Sequence, residues 1–300
     1  MTKYSIILLI IALFISACGQ RTSENINLDD VEIAKLQISA ETMRAIIQDI
    51  ASPLEVSTLI NSLDIPFSAT SLPNPENLST ELDPLEQAYR LGMFYTDLGY
   101  IHMYEKTDIG EDFLTSIDQL TTSLHINQYF DLATIKRLAA RSSSMDSLMY
   151  VSVNSFNQMG NSLRESNHGD QSALMVTGAW LEGLYLATQA TLRADNEHLR
   201  NMIGDQKLIL NDLLLVLNFY NTDSLMTNYI TDLEKIMNLY DEVEIISAVG
   251  EPEAVEKDGM LELVQSETSQ LKMSDEVLGK ITETTAQVRN ARLNAKTQAK

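Results

Sequence analysis

One cysteine, six prolines, twelve glycines and one tryptophan in 300 residues set the first limits on this chain. With Cys18 alone there can be no internal disulfide, so stability in an oxidising compartment has to come from packing. Scarce Pro and Gly leave few places to turn, which points to long helical elements. Basic residues are short as well: 21 Lys and Arg stand against 42 Asp and Glu, for a formal charge of −21. A surface that acidic repels nucleic acid and anionic headgroups and argues against both as partners. Hydrophobic residues at 44% nonetheless give enough apolar material for a packed core, so the chain reads as globular and not disordered.

Catalytic patterns are missing too. No two of His102, His125, His168 and His198 have the spacing of a His-Glu-x-x-His zinc site. There is no Gly-x-Ser-x-Gly nucleophile turn and no Gly-x-x-x-x-Gly-Lys phosphate loop. Glu165-x-x-His168 and Asp195-x-x-His198 have the carboxylate-x-x-His spacing of di-iron bundles, but both fall beside turn residues, where capping explains them better. No enzyme activity, metal or cofactor is expected.

What is present begins at the N-terminus. Lys3 precedes the apolar run Ile6 to Ile15, followed by Ser16-Ala17-Cys18-Gly19. A basic start, a greasy segment too short to span a bilayer and a small-residue cleavage point make a secretory signal. Ile15-Ser16-Ala17-Cys18 resembles the lipobox of bacterial lipoprotein precursors. The resemblance implies removal of residues 1–17 and lipidation of Cys18 with a diacylglyceride and a fatty acyl chain such as palmitate. A cell-envelope address, the outer membrane in particular, would follow. A plain secretory signal with a free thiol is the alternative.

Residues 18–30 are polar and read as a tether. From there to residue 248 the apolar spacing is helical, so an α-helical domain is expected over 31–248. An acidic Pro/Gly linker is expected at 249–259 and a C-terminal helical segment, frayed and basic at its end, over 260–300. The fold class is all-α: stacked antiparallel helical hairpins or a bundle of about ten helices, with no significant sheet. Residues 65–75 hold half of the prolines and should form an extended loop over the surface.

Two helices are apolar on almost every side and should lie at the centre. One follows Asp83-Pro84 and carries Gly92 and Gly99; the other runs from Ser172 to Leu192 and carries Trp180 between Gly178 and Gly183. An offset of 86 places Gly92 on Gly178 and Leu98 on Leu184, suggesting an internal repeat. Asp97 and His102 on the first helix, and Glu182 and Tyr185 on the second, are polar groups in apolar surroundings. With Tyr95 and Trp180 they form the candidate ligand-binding set. Either they line a polar-aromatic pocket for a small ligand, or the carboxylates are satisfied by a buried salt bridge to Arg90, Arg193 or Lys207. The functional expectation is a membrane-anchored envelope lipoprotein that binds a protein partner as a scaffold or accessory subunit; the alternative is a small-ligand-binding lipoprotein using that pocket.

Overall fold

A computed structural model describes residues 53–75, 82–139, 145–249, 253–257, 260–264 and 267–294, all within one compact unit, Ala40–Lys300. Cys18, the signal segment and the tether lie outside the described residues. The fold is all-α, and among the described residues it has nine helices. In chain order they are α1 (Pro53–Ser62), α2 (Pro84–Met103), α3 (Thr107–Ser123), α4 (Leu132–Ala139), α5 (Met145–Glu165), α6 (Gly169–Thr191), α7 (Glu197–Phe219), α8 (Ser224–Tyr240) and α9 (Asp275–Asn294).

Local chemistry fixes several helix starts. Asp83 accepts from Leu85 N–H at 2.9 Å with Pro84 in the first turn, Asn196 caps α7 through His198 and Leu199, and Asp223 caps α8 through Met226 N–H.

The two apolar helices, α2 and α6, form the core and meet backbone to backbone. A Cβ on Gly92 would sit 1.8 Å from the Met175 carbonyl oxygen, and one on Gly178 would sit 1.9 Å from that of Tyr89. Only glycine permits this approach. Further along, Thr96 Oγ1 donates to the Ala179 carbonyl at 3.2 Å. From Gly92 on Met175, through Thr96 on Ala179, to Asp97 beside Glu182, the partner residue climbs as α2 climbs, so the two helices run parallel. The offset of 86 carries Gly92 to Gly178 and Tyr89 to Met175, so the two glycine contacts are one contact seen from either side of an approximate twofold axis. Around this axis the halves have the same plan. The first helix packs on the second, the third on the fourth, and the fourth returns to the first, as α2 to α5 in one half and α6 to α9 in the other.

The second half departs from the plan, and from the sequence expectation, between α8 and α9. The stripe read as helical up to residue 248 ends at Tyr240, and the residues read as an acidic linker and as the start of a C-terminal helix form strands: β1 (Glu244–Val249), β2 (Glu253–Lys257), β3 (Met260–Val264) and β4 (Glu267–Lys272). β1 pairs antiparallel with β4, from Glu244 opposite Lys272 to Val249 opposite Glu267. β2 pairs with β3, with Lys257 opposite Met260. The apolar, β-branched run Val243 to Val249 favours a strand, and Asp258-Gly259, which separates β2 from β3 in sequence, is among the strongest short hairpin signals. The ribbon is held at its base: Leu271 packs where a Gly204 side chain would be, and Lys207 Nζ donates to the Val243 carbonyl at 2.8 Å.

Residues 65–75 lie over the bundle as expected, but as a fastened strap with a short 3-10 turn at Ala69–Ser71 in place of a wholly extended loop. Ser68 N–H donates to Tyr100 Oη at 2.9 Å, Tyr104 Oη donates to the Ile65 carbonyl, and Ser116 Oγ donates to the Pro75 carbonyl at 3.1 Å.

Candidate functional site

The parallel register of α2 and α6 brings Asp97 and Glu182 together at the centre of the bundle, both 0% exposed. From α9, Arg289, 4% exposed, forks onto Glu182: Nε donates to Oε2 at 2.9 Å and Nη2 to Oε1 at 2.6 Å. The same Nη2 donates to the Ser71 carbonyl of the strap at 3.2 Å, and the guanidinium lies over the Tyr185 ring, 4.3 Å from its centroid. This planar, bidentate geometry is what lets an arginine enter a core with a carboxylate.

Burial works against the Arg289 charge, but Glu182 and Asp97 outweigh it and raise its pKa, so the guanidinium stays protonated. Asp97 behaves the other way. Burial first, and then the neighbouring Glu182, push its carboxyl well above the usual range, against the weaker pull of Arg289. Among the described residues neither Asp97 oxygen meets a donor, because its neighbour is another carboxylate. A proton on Asp97 resolves this, since the neutral acid then donates to Glu182.

Of the sequence-derived set, Asp97, Glu182 and Tyr185 therefore share one centre, while Tyr95, Trp180 and His102 take up other tasks. Tyr95 Oη donates to the Ser152 carbonyl at 2.8 Å, and its ring packs against Phe130 and Phe156. Trp180 Nε1 donates to Gln206 Oε1 at 2.8 Å, joining α6 to α7. His102 is 4% exposed, and burial lowers its pKa to about 4, which keeps it neutral. A cavity of about 10 Å³ beside it, lined among others by Glu105, Thr107, Leu138 and Met145, has room for roughly one water.

The salt-bridge alternative has a different partner from the three expected. Arg90 Nη2 donates to the Arg292 and Leu293 carbonyls at the end of α9, Arg193 reaches Ser71 Oγ at 3.4 Å, and Lys207 holds the ribbon. Arg289, 107 residues beyond Glu182, lies where the sequence turns basic towards the end of the chain. It sits on α9 with Val277, Ile281, Thr285 and Val288 on the buried face, a stripe that marks it as inward-facing.

Asp195 lies 3.6 Å from Arg200, and the His198 backbone N–H is used by the Asn196 cap. Among the described residues there is no group of three His, Cys, Asp or Glu side chains able to hold a metal, and no helix long and apolar enough to cross a membrane. Comparison with protein-family models, with curated proteins and with solved structures found no match to this chain.

Proposed function

We propose that this chain is a lipid-anchored helical protein of the bacterial cell envelope that acts by binding a protein partner, as a scaffold or accessory subunit of an envelope assembly. The observation that carries the reading is Ile15-Ser16-Ala17-Cys18 behind a short apolar run, with Cys18 the sole cysteine of the chain. Several acyl chains on that cysteine would anchor the protein without a basic patch, which suits a net charge of −21. Binding rather than small-ligand capture is favoured because the charged groups at the centre of the bundle are spent on one another: Glu182 takes two donors from Arg289, and the Tyr185 ring is covered by the same guanidinium.

The test is expression of the full chain and of Cys18→Ala in a Gram-negative host fed a labelled fatty acid. The wild-type chain should carry the label and fractionate with the outer membrane, and the variant should do neither. Equal membrane partitioning of the two, or no label on the wild-type chain, would refute the anchor. Cross-linking in native membranes should then give a defined protein adduct that depends on Cys18; a clean preparation without one would refute the assembly role.

A further inference from the structure

The polar centre joins three segments that would otherwise be held separately: the α2–α6 core, the last helix α9 and the strap. We propose that Asp97 and Glu182 hold a single proton between them in the folded protein, and that this proton pins Arg289, and through it α9 and the strap, to the core.

The geometry leaves few other arrangements. Glu182 uses both oxygens on Arg289, whose Nη2 also holds Ser71 and whose Nη1 is on Asn290 Oδ1 at 3.1 Å. Four of the five guanidinium N–H groups are thereby used, and the fifth, on Nη1, makes no hydrogen bond to Asp97. With Asp97 neutral, the centre has one positive and one negative charge, and every carboxyl oxygen of Glu182 has a donor. With Asp97 ionised, two carboxylates face each other around one arginine away from water, and the repulsion is large at low dielectric.

Among the described residues, Arg289 is the cation that acts on Asp97. Tyr89 of α2, whose buried hydroxyl meets no partner among the described residues, and Tyr185 of α6 both feel the Glu182 charge, and Tyr229 of α8 lies against the Tyr89 ring. On α9, Arg292 is directed to Asp232 and to the Asn228 carbonyl at 2.7 Å, with the Tyr229 ring beneath it. Arg193, beyond the end of α6, is directed to the hydroxyls of Ser71 and Tyr100. Relief on deprotonation comes from water or from Arg289 turning towards Asp97, and either draws Arg289 off the strap carbonyl it holds. The pair is a proton-operated fastener, tightest below the ordinary carboxylate range and loosened as the pH rises towards the folded pKa of Asp97.

The sign follows from the direction of the shift. A carboxyl whose folded pKa is raised lends its full stabilisation below the ordinary carboxylate range, and that contribution is lost as the pH climbs towards the folded value.

Two measurements on the full chain test this. Infrared spectroscopy at neutral pH should show the carbonyl stretch of a protonated carboxyl in the wild-type protein, and Asp97→Asn should remove it. In hydrogen exchange followed from the ordinary carboxylate range upward, the strap and the Arg289 end of α9 should open about tenfold more per pH unit than base catalysis alone explains, until the folded pKa of Asp97 is passed. Asp97→Asn, which keeps a donor towards Glu182 and cannot titrate, should follow base catalysis only. Absence of the protonated-carboxyl band in the wild-type protein overturns the proposal even if the variant fails to fold. Identical exchange profiles in the two proteins would overturn it as well.

Discussion

Replacing Gly92 by alanine puts one methyl group into the tightest place in the molecule. The new Cβ would lie 1.8 Å from the Met175 carbonyl oxygen, 2.8 Å from the Ala179 nitrogen and 2.9 Å from the Met175 carbonyl carbon, all backbone atoms. No rotamer change can clear them. A carbon–oxygen contact wants about 3.3 Å, so α2 and α6 must part by about 1.5 Å. A gap of about 0.5–1 Å already forfeits a quarter to a half of the dispersion energy of each contact across it. Overpacking typically costs about 1–3 kcal/mol, and rigid backbone on every side places this case at the upper end or beyond. Alanine returns about 1 kcal/mol of helix propensity, leaving a net loss of about 2 kcal/mol or more. Gly279→Ala on α9 is the internal control, because nothing lies within 4 Å of its added Cβ; it should stabilise by about 0.5–1 kcal/mol. Urea unfolding followed by circular dichroism measures both. Gly178→Ala should match Gly92→Ala, and the double variant should lose less than the sum, since both wedge open the same pair of helices. A Gly92→Ala protein as stable as the wild type would refute the parallel, backbone-to-backbone core.

Arg289→Met should cost about 3–5 kcal/mol, because it strands the buried Glu182 charge; thermal unfolding of the variant checks this. His102, held neutral by burial with its pKa lowered from 6.5 to about 4, should make the fold lose about 3 kcal/mol as the pH falls through that window, at about 1.36 kcal/mol per pH unit. Over the same window the Asp97 proton works in the opposite sense, so the wild-type profile should be flatter than either group alone dictates. The His102 slope should emerge in Asp97→Asn and vanish again when His102→Gln is added, as read from urea midpoints across the window.

Much of the architecture was legible because it depends on local pattern. Helices apolar on every side had to be central, and of the stripe Gly92 and Gly99, which could let another backbone approach, Gly92 is where α6 meets α2; Gly178, on the facing side of that contact, was not legible in this way. Asp83-Pro84 announced its cap. What the sequence hid was distance. Asp97 and Glu182 could be recognised as costly to bury, but the side chain that answers Glu182 lies 107 residues further on, in a segment whose basic end looked like solvent-exposed tail. Tyr95 and Trp180 had the right composition for a pocket yet donate to Ser152 and Gln206, because neighbouring residues on a helix point in different directions. The ribbon was missed for a different reason. Its acidic residues and Pro252 suggested a linker, although Asp258-Gly259 between two apolar-containing runs was a hairpin signal in plain view.

At the centre of the bundle Glu182 and Arg289 satisfy each other in a closed fastening, and a double-mutant cycle on Glu182→Leu and Arg289→Met tests this most directly. Each single variant should be strongly destabilised, and the double variant should recover a coupling energy of about 2 kcal/mol or more. If the two losses instead add to within about 0.5 kcal/mol, or if Glu182→Leu leaves stability unchanged, the carboxylate is not held by Arg289 and the centre is an open site after all.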